Sequence, residues 1–195
     1  DVYKRQPPPS FPPWPPEGPI QVHTVAELEY AVRHAYDGAI IQLHPDGSPY
    51  LTTETLVFDR TLTIEATCSE MACVVIDAQS KHRVARVQPN GVVTMRRLNM
   101  TRGFNRDNVH DMGGGIRITE GSLTLEWCHV FGCRALHDSA AGIGNNYGDL
   151  IVRDSVLSDN YAHAGSGGAI SCRNGGLVLQ RSTIVNNGAS YGTGG

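Results

Sequence analysis

The chain has 195 residues, of which 40% are hydrophobic, 7% aromatic and 18% charged, with a formal net charge of −3. This length fits one domain. A mildly acidic balance with no evident basic patch argues against nucleic acid as a partner, and no run approaches the ~20 apolar residues of a membrane-spanning helix.

Residues 1–6, Asp-Val-Tyr-Lys-Arg-Gln, resemble the translation of a transposase-type sequencing adapter and are set apart from the fold. The chain lacks an initial Met and ends in the middle of a repeat, so it is expected to be truncated at its C-terminal side. Residues 7–19 hold eight of the eleven prolines. They read as a semi-rigid polyproline II linker, in which Phe11 and Trp14 are either incidental or a ligand for a Pro-recognition domain. Residues 1–19 are therefore scar and linker, and 20–195 the domain.

Thr24-x-x-Glu27 is a capping box. It opens a helix through about Tyr36, with Leu28, Ala31, Val32 and Ala35 on one apolar face and Gly38 as the stop. Ala39–Leu43 reads as a buried strand and Pro45-Asp46-Gly47 as a turn. A helix here has a physical use, because the end of a stack of strands exposes core that must be covered. Leu56–Phe58, Leu62–Ile64 and Val74–Asp77 read as strands of an irregular coil, and Val84–Val87 and Val92–Met100 as the next.

From about residue 110 one pattern recurs every 27 residues. Ile116, Ile143 and Ile170 follow Gly-rich bends. Leu123/Leu125, Leu150/Val152 and Leu177/Leu179 alternate with polar residues. The preceding coil is offset by 30 (Gly91 to Gly121), and its three extra residues are expected in a surface loop over 104–111. Alternation is strand periodicity. Short strands cannot bury their inward faces alone, so coils stacked at ~4.8 Å give an all-β parallel β-helix, a solenoid. Gly at the bends supplies positive φ or close backbone approach. Ser155/Ser182 and Asn160/Asn187 form columns, the latter an amide ladder. Cys128 and Cys133 replace them in the first regular copy. Outward pairs Glu126/Arg153 and Asp154/Arg181 should meet between coils, each worth about 0–1 kcal/mol.

Gly167-Gly168-Ala169-Ile170, with the Leu-x-Leu strand and Asn187 after it, resembles the repeats of polymorphic outer-membrane proteins. The other copies read Gly-Gly-Gly-Ile and Ala-Ala-Gly-Ile, and Val130, Leu157 and Ile184 stand where that family's repeat has an aromatic. More broadly, residues 21–195 resemble the right-handed parallel β-helix, or pectin lyase-like, superfamily, including its N-terminal helical cap. The first resemblance implies a surface adhesin.

Cys68 and Cys73 flank a short loop and are a candidate disulfide, which would indicate an oxidising compartment. Cys128, Cys133 and Cys172 fall in inward columns as small apolar residues. Asn99-Met100-Thr101 is a glycosylation sequon. The sharpest chemical constellation is His110-Asp111 and His137-Asp138, which lie 27 apart before the Gly-rich bend, with His163 near the same edge. Stacked carboxylates ~5 Å apart have the spacing of a retaining glycosidase pair. His and Asp together also suit a divalent metal. Alternatively, the pair was copied with the coil and serves the turn.

The catalytic sets of pectate lyases, polygalacturonases and alginate epimerases are absent, so no catalytic residue is assigned and no cofactor is evident. The leading expectation is a non-catalytic extracellular or cell-surface module that binds glycan or protein along an outward β-face. The alternatives are a carbohydrate-active lyase, hydrolase or epimerase at the His-Asp flank, or a spacer in a longer solenoid.

Overall fold

A computed structural model describes residues 18–70, 73–106, 112–137 and 140–190. Its strands are all parallel and fall into four stacked sheets of seven, six, five and four strands. Each turn of chain contributes one strand to each sheet it reaches, so the architecture is a parallel β-solenoid with one helix near its N-terminus.

The long sheet sets the register. Its strands are Ile20–Val22, Ala39–Leu43, Thr61–Ala66, Val92–Arg96, Ser122–Glu126, Asp149–Arg153 and Gly176–Gln180. Pairing aligns Ile20, Ile41, Ile64, Met95, Leu125, Val152 and Leu179 in one inward column. The next position outward gives a polar column: Gln21, Gln42, Glu65, Arg96, Glu126, Arg153 and Gln180. Neighbours along it are hydrogen-bonded or ion-paired, from Gln21–Gln42 at 2.9 Å through Arg96–Glu126 at 2.8 Å to Arg153–Gln180 at 3.0 Å. A one-residue slip would exchange the two columns, so both faces enforce the same register. The expected Glu126/Arg153 and Asp154/Arg181 pairs are present, the second bidentate.

The 27-residue period is seen directly in the pairing of Ile116 with Ile143 and Ile143 with Ile170. The three extra residues of the preceding coil fall after Asn105. Phe104–Asn105 is not loop, as the sequence suggested, but a strand paired with Arg134–Ala135. Residues 107–111 lie outside the described residues. Val92–Met100 is split at Arg97, whose φ is +56°.

Of the two roles expected for glycine at the bends, close backbone approach holds at Gly121, Gly148 and Gly175. None of the three is at left-handed φ. A Cβ on each would lie 2.3–2.4 Å from a carbonyl oxygen of the preceding coil, so close approach alone demands glycine. The left-handed corners are filled instead by Arg97, Trp127, Asp154 and Arg181, with φ of 47–56°. Their side chains interact along the stack, Arg97 over Trp127 and Arg181 with Asp154.

The helix spans Val25–His34, with both arms of the capping box formed at Thr24 and Glu27, and Ala35 already extended. It buries Leu28, Ala31 and Val32 against the first coil, as a cap should. It does not precede the first strand, however: Ile20–Val22 comes before it and pairs with Ala39–Leu43. In that second strand only alternate residues are buried, and Ile40 is 37% exposed. At the other end Leu177, Leu179 and Ile184 occupy inward columns yet are 41–44% exposed, since nothing among the described residues stacks on them.

The polar columns fasten the coils. The amide of Cys133 donates to Asn160 Oδ1 at 3.0 Å, and that of Asn160 to Asn187 Oδ1 at 3.1 Å. Asn160 Nδ2 also donates to Val130 O. Cys128 and Ser155 donate in the same way to the hydroxyls of Ser155 and Ser182. Asn160→Ala orphans the buried amide of Cys133, at about 1–3 kcal/mol for the unsatisfied group, and removes one of the donors to Val130 O. Urea unfolding should show a loss of at least that size, and a smaller one for Asn187→Ala in the half-buried last coil. Equal losses would contradict the ladder's inward weighting.

Candidate functional site

From Ala78 to Arg106 the chain contains no Asp or Glu, but seven cations: Lys81, Arg83, Arg86, Arg96, Arg97, Arg102 and Arg106. An even overall balance concealed one acid-free coil.

Folding neutralises part of this charge. Arg96 pairs with Glu126 and Glu65. Arg102 makes a bidentate pair with the buried Asp77, its Nε 2.8 Å from Oδ1. The Asp77 carboxylate holds the Arg102 guanidinium above its ordinary pKa. Asp77 also accepts from the Gln79 amide at 2.7 Å. That contact pins a turn in which Gln79 and Ser80 take left-handed φ.

Beyond this turn lies a cleft of about 300 Å³, lined by Thr55, Ser80, Lys81, His82, Arg83, Phe104 and Arg106. Its walls are fixed by backbone partners. The two ring nitrogens of His82 lie 2.8 Å from Arg83 O and 3.0 Å from Thr52 O, and Arg83 Nε donates to Gly113 O at 2.7 Å. Lys81 Nζ donates to the neutral Gln79 Oε1, and the Arg106 guanidinium lies 5.5 Å above the Phe104 ring. Lys81 and Arg106 are both exposed. No carboxylate is among the described lining residues. The described lining offers cations, hydroxyls and one aromatic face, a set chemically suited to an anion.

The strands that follow Thr55 and Val84 enter the five-stranded sheet, whose outward face carries Arg86 beside Arg117. On that face Arg86 Nε and Asn146 Oδ1 are buried without a protein hydrogen bond. Such orphans are rare, and polar atoms of this kind call for a water or ligand partner.

The residues singled out from sequence fare differently. His110, Asp111 and Asp138 lie outside the described residues. His137 is exposed just after Arg134–Ala135, and His163 just after Tyr161–Ala162, its ring edge-on to Tyr161 at 4.8 Å. Ala135 pairs with Ala162, so the two histidines lie on one flank of successive coils, one position out of register. Cys68 and Cys73 are joined across their loop, with Cα atoms 6.5 Å apart. Cys128 and Cys133 are buried, whereas Cys172, in an inward column, is exposed at the unstacked end.

No protein-family model matches the chain, and no curated protein matches it in sequence.

Desolvation pushes the thiols of Cys128 and Cys133 up to about 12, so neither serves as a nucleophile at neutral pH. A thiol reagent applied to the native protein at pH 7 should label Cys172 and spare the other two, as read by peptide mass. Rapid labelling of Cys128 would mean that the coils open.

Proposed function

We propose that this solenoid is a non-catalytic extracellular or cell-surface binding module, and that its ligand is an acidic glycan held in the cleft beside Lys81 and Arg106. The cationic lining of the cleft carries this reading. Exposed cations converge there from two segments, and no carboxylate among the described lining residues opposes an incoming anion. Carboxylate or sulfate groups on the glycan would take charge-assisted hydrogen bonds from Lys81 and Arg106. The Phe104 ring gives an apolar surface for a sugar face, and the hydroxyls of Thr55 and Ser80 suit ring hydroxyls. The resemblance to outer-membrane adhesin repeats and to the pectin lyase-like superfamily supports the same assignment.

Polygalacturonate and a sulfated glycan are expected to bind, and neutral glucans not. Each of Lys81→Ala and Arg106→Ala should weaken binding by about 5-fold, the value of an exposed ion pair of ~1 kcal/mol. Raising salt from 0.05 to 0.5 M, a range over which the screening length shortens markedly, should weaken it further. Equal binding of neutral glucans, or indifference to the double substitution, would sink the proposal. Chain cleavage in the same assay, abolished by Asp111→Asn or Asp138→Asn, would replace it with an enzyme acting at the His-Asp flank.

A further inference from the structure

A second site lies at the opposite end of the chain's chemistry, in the first turn of the solenoid. The strands Ile20–Val22 and Ala39–Leu43 are in register, with Val22 opposite Leu43. His23 and His44 are the next residues on each. The ladder continues through them, His44 N donating to Val22 O at 3.0 Å. Parallel pairing therefore brings the imidazoles face to face, their centroids 4.0 Å apart and their planes 17° from parallel. Immediately after His44, the 3-10 turn Pro45–Gly47 swings Asp46 back over His23. Both carboxylate oxygens lie 3.0–3.1 Å from His23 Nδ1. One donor atom from each of His23, His44 and Asp46 falls within 4.8 Å of the others.

The backbone under these three side chains is unusually constrained. The buried hydroxyl of Tyr50 lies 2.7 Å from Val22 O and 2.9 Å from His44 O, clamping the two strands at the base of the histidines. Glu27 accepts from the backbone amides of His23 and Thr24 at 2.7 and 3.0 Å, fixing the chain on the other side. Gly47 fits so closely that a Cβ on it would meet His23 O. The turn bearing Asp46 is thus pressed against the strand bearing His23. Gln21 Oε1 lies 2.6 Å from His44 Nε2 and orients that ring, as outer partners of metal-bound imidazoles do.

From this geometry we infer that His23, His44 and Asp46 form a binding site for a divalent transition metal of the zinc, nickel or copper class. Two imidazoles and one carboxylate are a ligand set these ions favour, whereas calcium and magnesium prefer oxygen alone. Around a tetrahedral ion with bonds of ~2.0–2.1 Å, donor atoms stand ~3.3 Å apart. The donors, which lie within 4.8 Å of one another, would draw together by side-chain rotation on binding. Three protein ligands leave one position open to water or to a donor from a bound partner. This site is separate from the cleft beside Lys81 and Arg106 and does not depend on what binds there.

The untagged chain, freed of metal, is titrated with Zn(II), Ni(II) and Ca(II) in a non-coordinating buffer, by calorimetry and by competition with a chromogenic chelator. One equivalent of Zn(II) should bind in the micromolar range or tighter, and Ca(II) should not compete. Co(II) should give the visible absorption of a nitrogen–oxygen site. His23→Gln, His44→Gln and Asp46→Asn should each weaken Zn(II) by about 100-fold, and Gln21→Ala by about 10-fold, the scale of an outer-partner loss. These side chains are exposed or half-buried, and an unchanged circular dichroism spectrum checks that each variant is folded. Millimolar binding only would overturn the inference. So would displacement by Ca(II), or stoichiometric binding that survives His23→Gln/His44→Gln and thereby belongs to other histidines of the chain.

Discussion

Each coil of this protein borrows hydrogen-bond acceptors from the coil that follows it. A parallel solenoid satisfies its strand amides through the ladder, but its corners lie between strands and leave amides such as those of Cys128 and Cys133 pointing inward. Burying them unpaired would cost about 1–3 kcal/mol each. Ser155 and Asn160, one period later, supply the missing acceptors. The rest of the regular architecture follows. Coils must have equal length, successive corners must superpose, and the glycines at positions 121, 148 and 175 must leave room for the backbone above.

Regularity and chemistry occupy different parts of the molecule. The coils after residue 112 are nearly uniform, and their outward positions are largely paired with one another. The cationic cleft and the histidine pair both arise earlier, where successive coils differ in length and turns depart from the common path. A departure of this kind creates concavity. The turn over 78–83, held by Asp77 and Arg102, opens the cleft. The turn at Pro45–Gly47 brings a carboxylate over an imidazole. A uniform stack has flat faces and few such places.

The repeat made most of the fold legible in the sequence. Alternating Leu123/Leu125 and its copies gave the strands, and the spacing of 27 gave their pairing. The Asn and Ser columns could be read because the same residue recurs at the same phase. What escaped were features that occur once. The strand Ile20–Val22 is three residues long and precedes a well-marked helix, so nothing local announced it. Without it, the alignment of His23 with His44 was invisible, although both end an alternating apolar stretch. The role of the bend glycines stayed open between conformation and space, since composition cannot separate the two. The basic coil was present in the sequence as a run without Asp or Glu, but averaging charge over the chain concealed it.

The amide borrowing between coils also limits how such a chain can change in length. Removing a single residue from a regular coil would shift every column beyond it and leave both the Gln21-to-Gln180 ladder and the inward apolar column mismatched. Removing or copying a block of 27 residues would join an identical corner to an identical corner, and each amide would find the same acceptor one coil further on. Growth and loss in this molecule are therefore quantised. A family built on this rule would differ among its members by whole coils, while its irregular first turns stay of constant length.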